Sequence, residues 1–278
     1  MIISGKAKLA GVFGWPVDHS RSPRLHNYWL ALYGIDGAYV PLAVRPEHFE
    51  TALRALPLLG FRGANVTIPH KAAALRAVDQ AEPLARRIGA VNTIVIDAEG
   101  QLIGRNTDGF GFLESLKQAA PTWRADAGPA VVLGAGGAAR AVVAALLDAG
   151  APRIDLVNRD IAKAERLAGD LGGAIAVAAW PGLPALLPGA ALLVNTTSLG
   201  MNRQPPLDID LRPLPPAALV SDLVYSPLQT KLLAVASRRG NPTVDGLGML
   251  LHQARPGFEA WFGRAPEVTA ALRSFVLA

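Results

Sequence analysis

The chain has 278 residues, 51% hydrophobic and 18% charged, enough for two domains with a large core and too apolar for intrinsic disorder. Its formal net charge is +5, but the basic residues are dispersed, with Arg86-Arg87 and Arg238-Arg239 the densest pairs. No basic stripe or nucleic-acid reader motif is present, and a mild positive field suits small anionic ligands instead. The absence of cysteine excludes disulfides and thiolate metal sites and fits a reducing compartment. The five histidines (19, 26, 48, 70, 252) show no metal-ligand spacing, so no metal is expected. The N-terminus lacks the form of a secretion signal. The uncharged stretch 171–194 is broken by Pro181, Pro184, Pro188 and four glycines, which disqualifies it as a spanning helix. These features predict a soluble, cytoplasmic protein without a membrane partner.

Residues 9–13 read as a strand ending at Gly14-Trp15-Pro16, with a helix over 25–33 beyond it. Ser22-Pro23 has the form of an N-cap followed by proline at the first helical position. Capping is one role for Ser22. The other is shared with Ser20, because two hydroxyls spaced by one residue at a helix start can both donate to a carboxylate. A strand over 38–43, a helix over 47–56 and a strand over 63–67 follow, the last running into Ile68-Pro69-His70-Lys71 before a helix over 72–78. Such alternation predicts a parallel sheet with crossovers. Ligands then gather at the carboxyl ends of the strands, where Ser20, Thr67 and Lys71 would lie. Lys71 is there either a plain surface charge or a functional cation.

A short helix over 85–90 leads to a strand over 91–96 that carries Asn92 and Thr93 near its start. Residues 97–100 make a hairpin turn into 101–104. Asp108 precedes a helix over 110–119 and is a second N-cap candidate, and 121–129 reads as a surface linker.

The stretch 131–150, VVLGAGGAARAVVAALLDAG, has the grammar of a buried strand, a tight turn and a helix. Gly134, Gly136 and Ala139 occupy the three places of the G-x-G-x-x-G/A pattern. The first permits the turn, the second lets backbone approach a pyrophosphate, and the third lets helix and strand pack closely. The N–H groups at the helix start then face the phosphates. The next strand, 153–157, ends in Asn158-Arg159-Asp160, with Lys163 one turn on. An acidic residue at this strand end suits NAD, and an arginine suits the 2′-phosphate of NADP. The charges favour NADP, and Asp160 weakens the preference without reversing it. Strands over 174–177, 191–194 and 219–224, a helix over 229–238, a helix from 245 that Pro256 kinks or ends, and a last helix over 267–277 complete the chain. No internal repeat is present.

Read in order, VFGWPVDHSRSP (12–23), NVTIPHK (65–71), GAVNT (89–93), GRNTDG (104–109), GAGGAAR (134–140), NR (158–159), NTTSLGM (195–201), DLVYSP (222–227) and DGLGMLLHQA (245–254) closely resemble the shikimate dehydrogenase family over nearly the whole length. The resemblance implies an α/β protein of two domains with a cleft between them. One is a discontinuous substrate domain (1–110 plus 245–278) with a mostly parallel sheet, and the other an inserted Rossmann-like NADP-binding domain (111–244). It implies reversible NADPH-dependent reduction of the 3-keto group of 3-dehydroshikimate to shikimate, in the route to aromatic amino acids. Lys71 would be the acid/base and Asp108 its partner. Ser20 and Ser22 would bind the substrate carboxylate; Thr67, Asn92, Asp108 and Gln253 would hold the ring hydroxyls, with Tyr225 lining the same site. Gly134, Ala135, Gly136, Gly137, Ala138, Asn158, Arg159 and Lys163 would hold NADP, and Leu223, Gly246 and Met249 would lie by the nicotinamide. Hydride addition builds charge on a ketone oxygen, so a positioned proton donor is required, and a lysine meets that need as acid and as cation.

Three positions depart from the family pattern: Trp15 where a small or polar residue is common, Ala72 where an acidic one is, and Asp160 where threonine is. Two other readings remain, a quinate/shikimate dehydrogenase using NAD and a non-catalytic sensor built on the same scaffold. Retention of Lys71 and Asp108, with no appended DNA-reading segment, disfavours the sensor. A monomer or homodimer acting on a small molecule, without nucleic acid, is expected.

Overall fold

In the computed structural model, which describes residues 3–278, the apolar run 9–13 lies within β1 (Lys8–Gly14). The chain continues through α1 (Ser22–Leu32), β2 (Gly37–Ala43), α2 (Phe49–Ala55), β3 (Phe61–Val66), α3 (Lys71–Ala77), β4 (Gln80–Ala81), α4 (Pro83–Ile88), β5 (Thr93–Ile96) and β6 (Leu102–Arg105). These strands form one sheet in the order β2-β1-β3-β5-β6-β4. β1 runs parallel to β2 and β3, whereas β5 is antiparallel to both β3 and β6. The hairpin at Asp97 causes the reversal: its carboxylate accepts from the N–H groups of Glu99 and Gln101, closing the turn. Pro41 lies in β2, an edge strand, where a missing N–H is tolerated. Phe13, Phe49, Leu53, Val66, Ile94 and Leu102 share one core, with the Phe13 and Phe49 rings edge-to-face at 5.4 Å.

The second set of elements begins with α5 (Asp108–Ala119), β7 (Ala130–Leu133), α6 (Gly137–Asp148), β8 (Ile154–Asn158), α7 (Ile161–Leu171) and β9 (Ile175–Ala179). It goes on with α8 (Leu183–Leu186), β10 (Leu192–Asn195), β11 (Leu219–Asp222), α9 (Lys231–Arg238), β12 (Thr243–Val244) and α10 (Gly246–Gln253). The sheet order is β12-β11-β10-β7-β8-β9, and every pairing is parallel. β7 is buried on both faces: Val132 joins one apolar cluster, Val131 and Leu133 the other. That explains why its sequence is continuously apolar rather than alternating. The proline-rich stretch 171–194 folds as β9, short turns and β10, and no described helix is long and apolar enough to cross a membrane.

The chain then returns through α11 (Arg255–Phe262) and α12 (Ala270–Leu277). Trp261 Nε1 donates to the Ile94 carbonyl at 2.9 Å, tying α11 to β5, and Trp29 Nε1 of α1 donates to that of Glu267 at 3.0 Å, tying the segment before α12 to α1. Contacts divide the protein into unit 1, Met1–Thr107 with Gln253–Ala278, and unit 2, Asp108–His252.

Several local expectations change. Ser22 is not a cap: Arg21 holds the N-cap position, Ser22 is the first helical residue, and its hydroxyl bonds to Tyr39 instead. Residues 245–252, grouped above with the N-terminal part, belong to unit 2, because β12 pairs with β11 and Gly248 lies against Ser115 of α5. Likewise Asp108–Phe110 open α5 and belong to unit 2. Asp160 caps α7, a helix that the sequence reading did not place. The last helix starts at Ala270 because the Thr269 hydroxyl caps it, accepting from Leu272 N. Pro256 lies in the first turn of α11, and the helix before it ends at Gln253, the second of the two outcomes expected there.

Candidate active site

Unit 1 gathers polar side chains where its parallel strands end. Thr67 follows β3 and its N–H donates to Phe13 O at the end of β1, tying the two strand exits together. Lys71 is half-buried as the first residue of α3. Ser20 and Ser22 lie on the β1–α1 connection, and Ser22 N donates to Ser20 Oγ at 3.3 Å. A buried hydrogen-bonded series runs behind these groups. Tyr39 donates to Asn65 Oδ1 at 2.6 Å, and Asn65 Nδ2 donates to Asn92 O and Thr93 Oγ1, both at 3.1 Å. Because the Tyr39 proton is engaged by Asn65, the Ser22 hydroxyl meets the Tyr39 oxygen as donor. Burial holds the Tyr39 phenol well above its ordinary pKa, so it remains a neutral donor.

Asn92 is fixed by Thr107 through both ends of its amide. Thr107 N–H donates to its Oδ1 at 2.9 Å, and its Nδ2 donates to Thr107 Oγ1 at 3.1 Å. Thr107 Oγ1 in turn donates to the Gln253 carbonyl at 2.8 Å. Gln253 thereby stands beside Asn92, with its Oε1 3.5 Å from Asn92 Nδ2. The structure thus brings together Asn92 and Gln253, two of the expected hydroxyl binders. Thr107, which joins them, and Asn65, which donates to the Asn92 carbonyl, were not singled out from sequence, although both lie inside quoted motifs (104–109 and 65–71).

Unit 2 carries the remaining groups. Gly134, at φ +104°, makes the turn after β7; a Cβ there would stand 2.9 Å from Thr196 Oγ1 and Thr197 Cγ2. Gly136 is the N-cap of α6 without a side-chain cap, and a Cβ at Gly136 or Gly137 would meet nothing within 4 Å. Backbone N–H groups at a helix start with open space before them fit a pyrophosphate. Ala135 lies in the turn, Ala138 in the first turn of α6, and buried Ala139 lets α6 pack on the sheet.

At the end of β8, Asn158 Nδ2 donates to Asp160 O at 2.7 Å, and Asp160 Oδ1 accepts from Lys163 N at 3.0 Å. The Asp160 charge therefore faces the positive start of α7, while Arg159 and Lys163 are exposed. At the ends of β10 and β11, buried Asp222 accepts from Asn195 Nδ2, Val224 N and Thr230 Oγ1 at 2.6–3.0 Å. Burial raises its pKa, and the three donors oppose the rise. This carboxylate, also not foreseen as a site support, fixes the chain that leads to Leu223 and half-buried Tyr225. Gly246 lies against that chain so closely that a Cβ would be 2.1 Å from Leu223 O. Met249 and Leu223 both pack against the same core. Asp108 is buried at the start of α5. Lys71 and Asp108 thus come from different units. Among the described residues no cluster of His, Asp and Glu could hold a metal ion.

The parallel sheet, the glycine turn and the polar strand ends define an α/β enzyme with a Rossmann-like dinucleotide unit. Comparison with known proteins narrows the class. Residues 12–94 match the model of the shikimate dehydrogenase substrate binding domain, 117–201 that of shikimate / quinate 5-dehydrogenase, and 246–274 that of the shikimate 5'-dehydrogenase C-terminal domain. The chain is 64% identical over 275 residues to the shikimate dehydrogenase (NADP(+)) of Paramagnetospirillum magneticum, covering 99% of this chain and 100% of that one. Among solved structures, quinate dehydrogenase from Corynebacterium glutamicum in complex with NAD superposes with a TM-score of 0.90 at 32% identity, over 98% of this chain and 99% of that one. Shikimate 5-dehydrogenase from Thermus thermophilus in complex with NADP(H) and shikimate gives 0.85 at 38%, over 97% and 98%. The chain belongs to the shikimate dehydrogenase family.

Proposed function

We propose that the protein catalyses the reversible reduction of 3-dehydroshikimate to shikimate with NADPH, in aromatic amino acid biosynthesis. The observation that carries the reading is the match over 99% of the chain to a relative of that name, joined to a strand-end set of donors and acceptors suited to a carboxylated polyol. NADP fits the residues present: the open helix start at Gly136-Gly137 for the pyrophosphate, and Arg159 and Lys163 for the 2′-phosphate. Bound there, it supplies or accepts the hydride. Asn158 and the 134–138 turn hold it, with Leu223, Gly246 and Met249 on the nicotinamide side.

In this reading Ser20 and Ser22 donate to the substrate carboxylate. Thr67, Asn92, Asp108 and Gln253 satisfy ring hydroxyls that lose water on binding, and Tyr225 lines the same pocket. Lys71 Nζ gives a proton to the oxygen that becomes the new hydroxyl, and its charge offsets the negative charge building there. Asp108 orients the ammonium and accepts from a ring hydroxyl. The reading requires both groups on one substrate. The enzyme acts as a monomer or homodimer in the cytoplasm, a location supported by the absence of cysteine.

The second reading, quinate oxidation with NAD, is favoured by Asp160 and by the likeness to the quinate enzyme. Absorbance at the nicotinamide band with shikimate or quinate, each with NADP or NAD, separates the two. Turnover confined to quinate with NAD would overturn the proposal.

A further inference from the structure

Unit 1 has a groove of about 430 Å³ that none of the assigned roles uses, lined by Trp15, Ala43, Val44, Arg45, His48 and Ala52. It lies where β1 and β2 end, on the same connection that carries Ser20 five residues beyond Trp15. Its two sides are joined by main chain, Val44 N donating to Gly14 O and Trp15 N to Ile68 O. His70 Nε2 bonds to the Val44 carbonyl at 2.8 Å from behind and keeps that wall in place.

The groove has one charged, one titratable and one aromatic member. The Arg45 guanidinium carbon stands 5.4 Å from the centre of the Trp15 ring, and no carboxylate pairs with it among the described residues. Trp15 is 41% exposed, a large apolar area to leave in water. Exposed His48 adds a ring one turn on, while Glu47 and Glu50 of the same segment do not line the groove. A guanidinium over an indole keeps N–H groups for an incoming anion, and the indole offers an apolar face to the ring of a cyclic ligand.

We infer that Trp15 and Arg45 form an accessory capture site for a small cyclic carboxylate, the class to which the substrate and product of the proposed reaction belong. The inference rests on that reading for its ligand. From there the Arg45 charge also attracts the carboxylate that Ser20 and Ser22 hold, which raises equilibrium affinity at low salt. Arg45 contributes to affinity and capture, and it takes no part in the chemical step.

The test is calorimetric titration of shikimate into cofactor-free wild type, Arg45→Ala, Arg45→Lys and Trp15→Ala, at low and at high sodium chloride. Turnover of the wild type with shikimate and NADP is followed separately. Arg45→Ala is expected to weaken binding about two- to fivefold at low salt, as an exposed ion pair allows. The difference shrinks at high salt, where the pair is screened. Arg45→Lys recovers part of the loss, and Trp15→Ala loses part. Shikimate methyl ester, which lacks the charge, binds wild type and Arg45→Ala alike. Equal shikimate affinity for wild type and Arg45→Ala at low salt overturns the capture site, as does an equal loss for the ester. A wild type that binds shikimate but does not oxidise it would instead count against the proposed reaction.

Discussion

Thr107 and Asn92 hold each other by two hydrogen bonds, main-chain N–H to Oδ1 at 2.9 Å and Nδ2 to Oγ1 at 3.1 Å, and Thr107 passes its own proton to Gln253 O at 2.8 Å. A single hydroxyl thus orients two groups proposed to hold the substrate. Thr107→Val keeps the shape but leaves buried partners unsatisfied, at about 1–3 kcal/mol. Urea unfolding should show that loss. The KM for shikimate should rise more than kcat falls, and Thr107→Ser should restore both. Unchanged KM in the valine variant would separate the pair from substrate binding.

Lys71→Ala is expected to lower turnover by roughly 10²- to 10⁴-fold, the range of general acid–base catalysis, while shikimate still binds. Asp108→Asn, which keeps the shape and removes the charge, should lower kcat in the same direction. Stopped-flow absorbance of NADPH formation reads both, and near-normal turnover in Lys71→Ala would remove Lys71 from the mechanism.

Arg159→Ala should weaken NADP and spare NAD. Asp160 acts through α7: Asp160→Asn keeps an efficient cap and removes a charge, so the preference for NADP over NAD should increase. Asp160→Ala removes the cap and should cost about 1 kcal/mol. Ratios of kcat/KM for the two cofactors, with thermal melts, check both effects.

His26 is fully buried, stacked on Tyr39 at 4.0 Å, and burial lowers its pKa from 6.5 to about 3, only partly offset by Asn65. Burial lowers the His70 pKa in the same direction. Between the folded and unfolded values the unfolded chain binds more protons, so stability declines as pH falls below about 6.5, by up to about 1.4 kcal/mol per pH unit for His26, with His70 acting in the same direction. Urea midpoints from pH 7 to 4.5 should follow this slope. His26→Phe, which preserves the stacking and removes the His26 titration, should make it shallower and leave the His70 part.

Gly246→Ala places a methyl 2.1 Å from Leu223 O, a backbone atom that cannot rotate away. A loss of about 1–3 kcal/mol is expected from overpacking, with impaired turnover as the Leu223–Tyr225 segment shifts. A melting temperature equal to wild type would count against this.

Much of this was legible in the chain itself. The continuous apolar run 130–133 and the glycines after it announced a buried parallel strand and its turn, because both are dictated by neighbours in sequence. Ser22 shows where that stops. Its position before proline looks like a cap, yet its hydroxyl finds Tyr39, which only the β1–β2 pairing brings near. The same holds for Asp222, whose partners Asn195 and Thr230 come from other elements. The boundary at 245 was missed because a two-residue strand, β12, decides it by pairing with β11. Asp160 carries a second role that its charge does not announce, a three-residue reach to Lys163 N that makes it a cap.

The Thr107–Gln253 bond also bears on how such a chain can be rebuilt. The segment 108–252 leaves and rejoins the rest at two points that one hydrogen bond of 2.8 Å holds side by side. In genetic terms it is a cassette with abutting ends: cutting it out leaves termini that a linker of a few residues can join, and another domain with closely spaced termini can be spliced into the same gap.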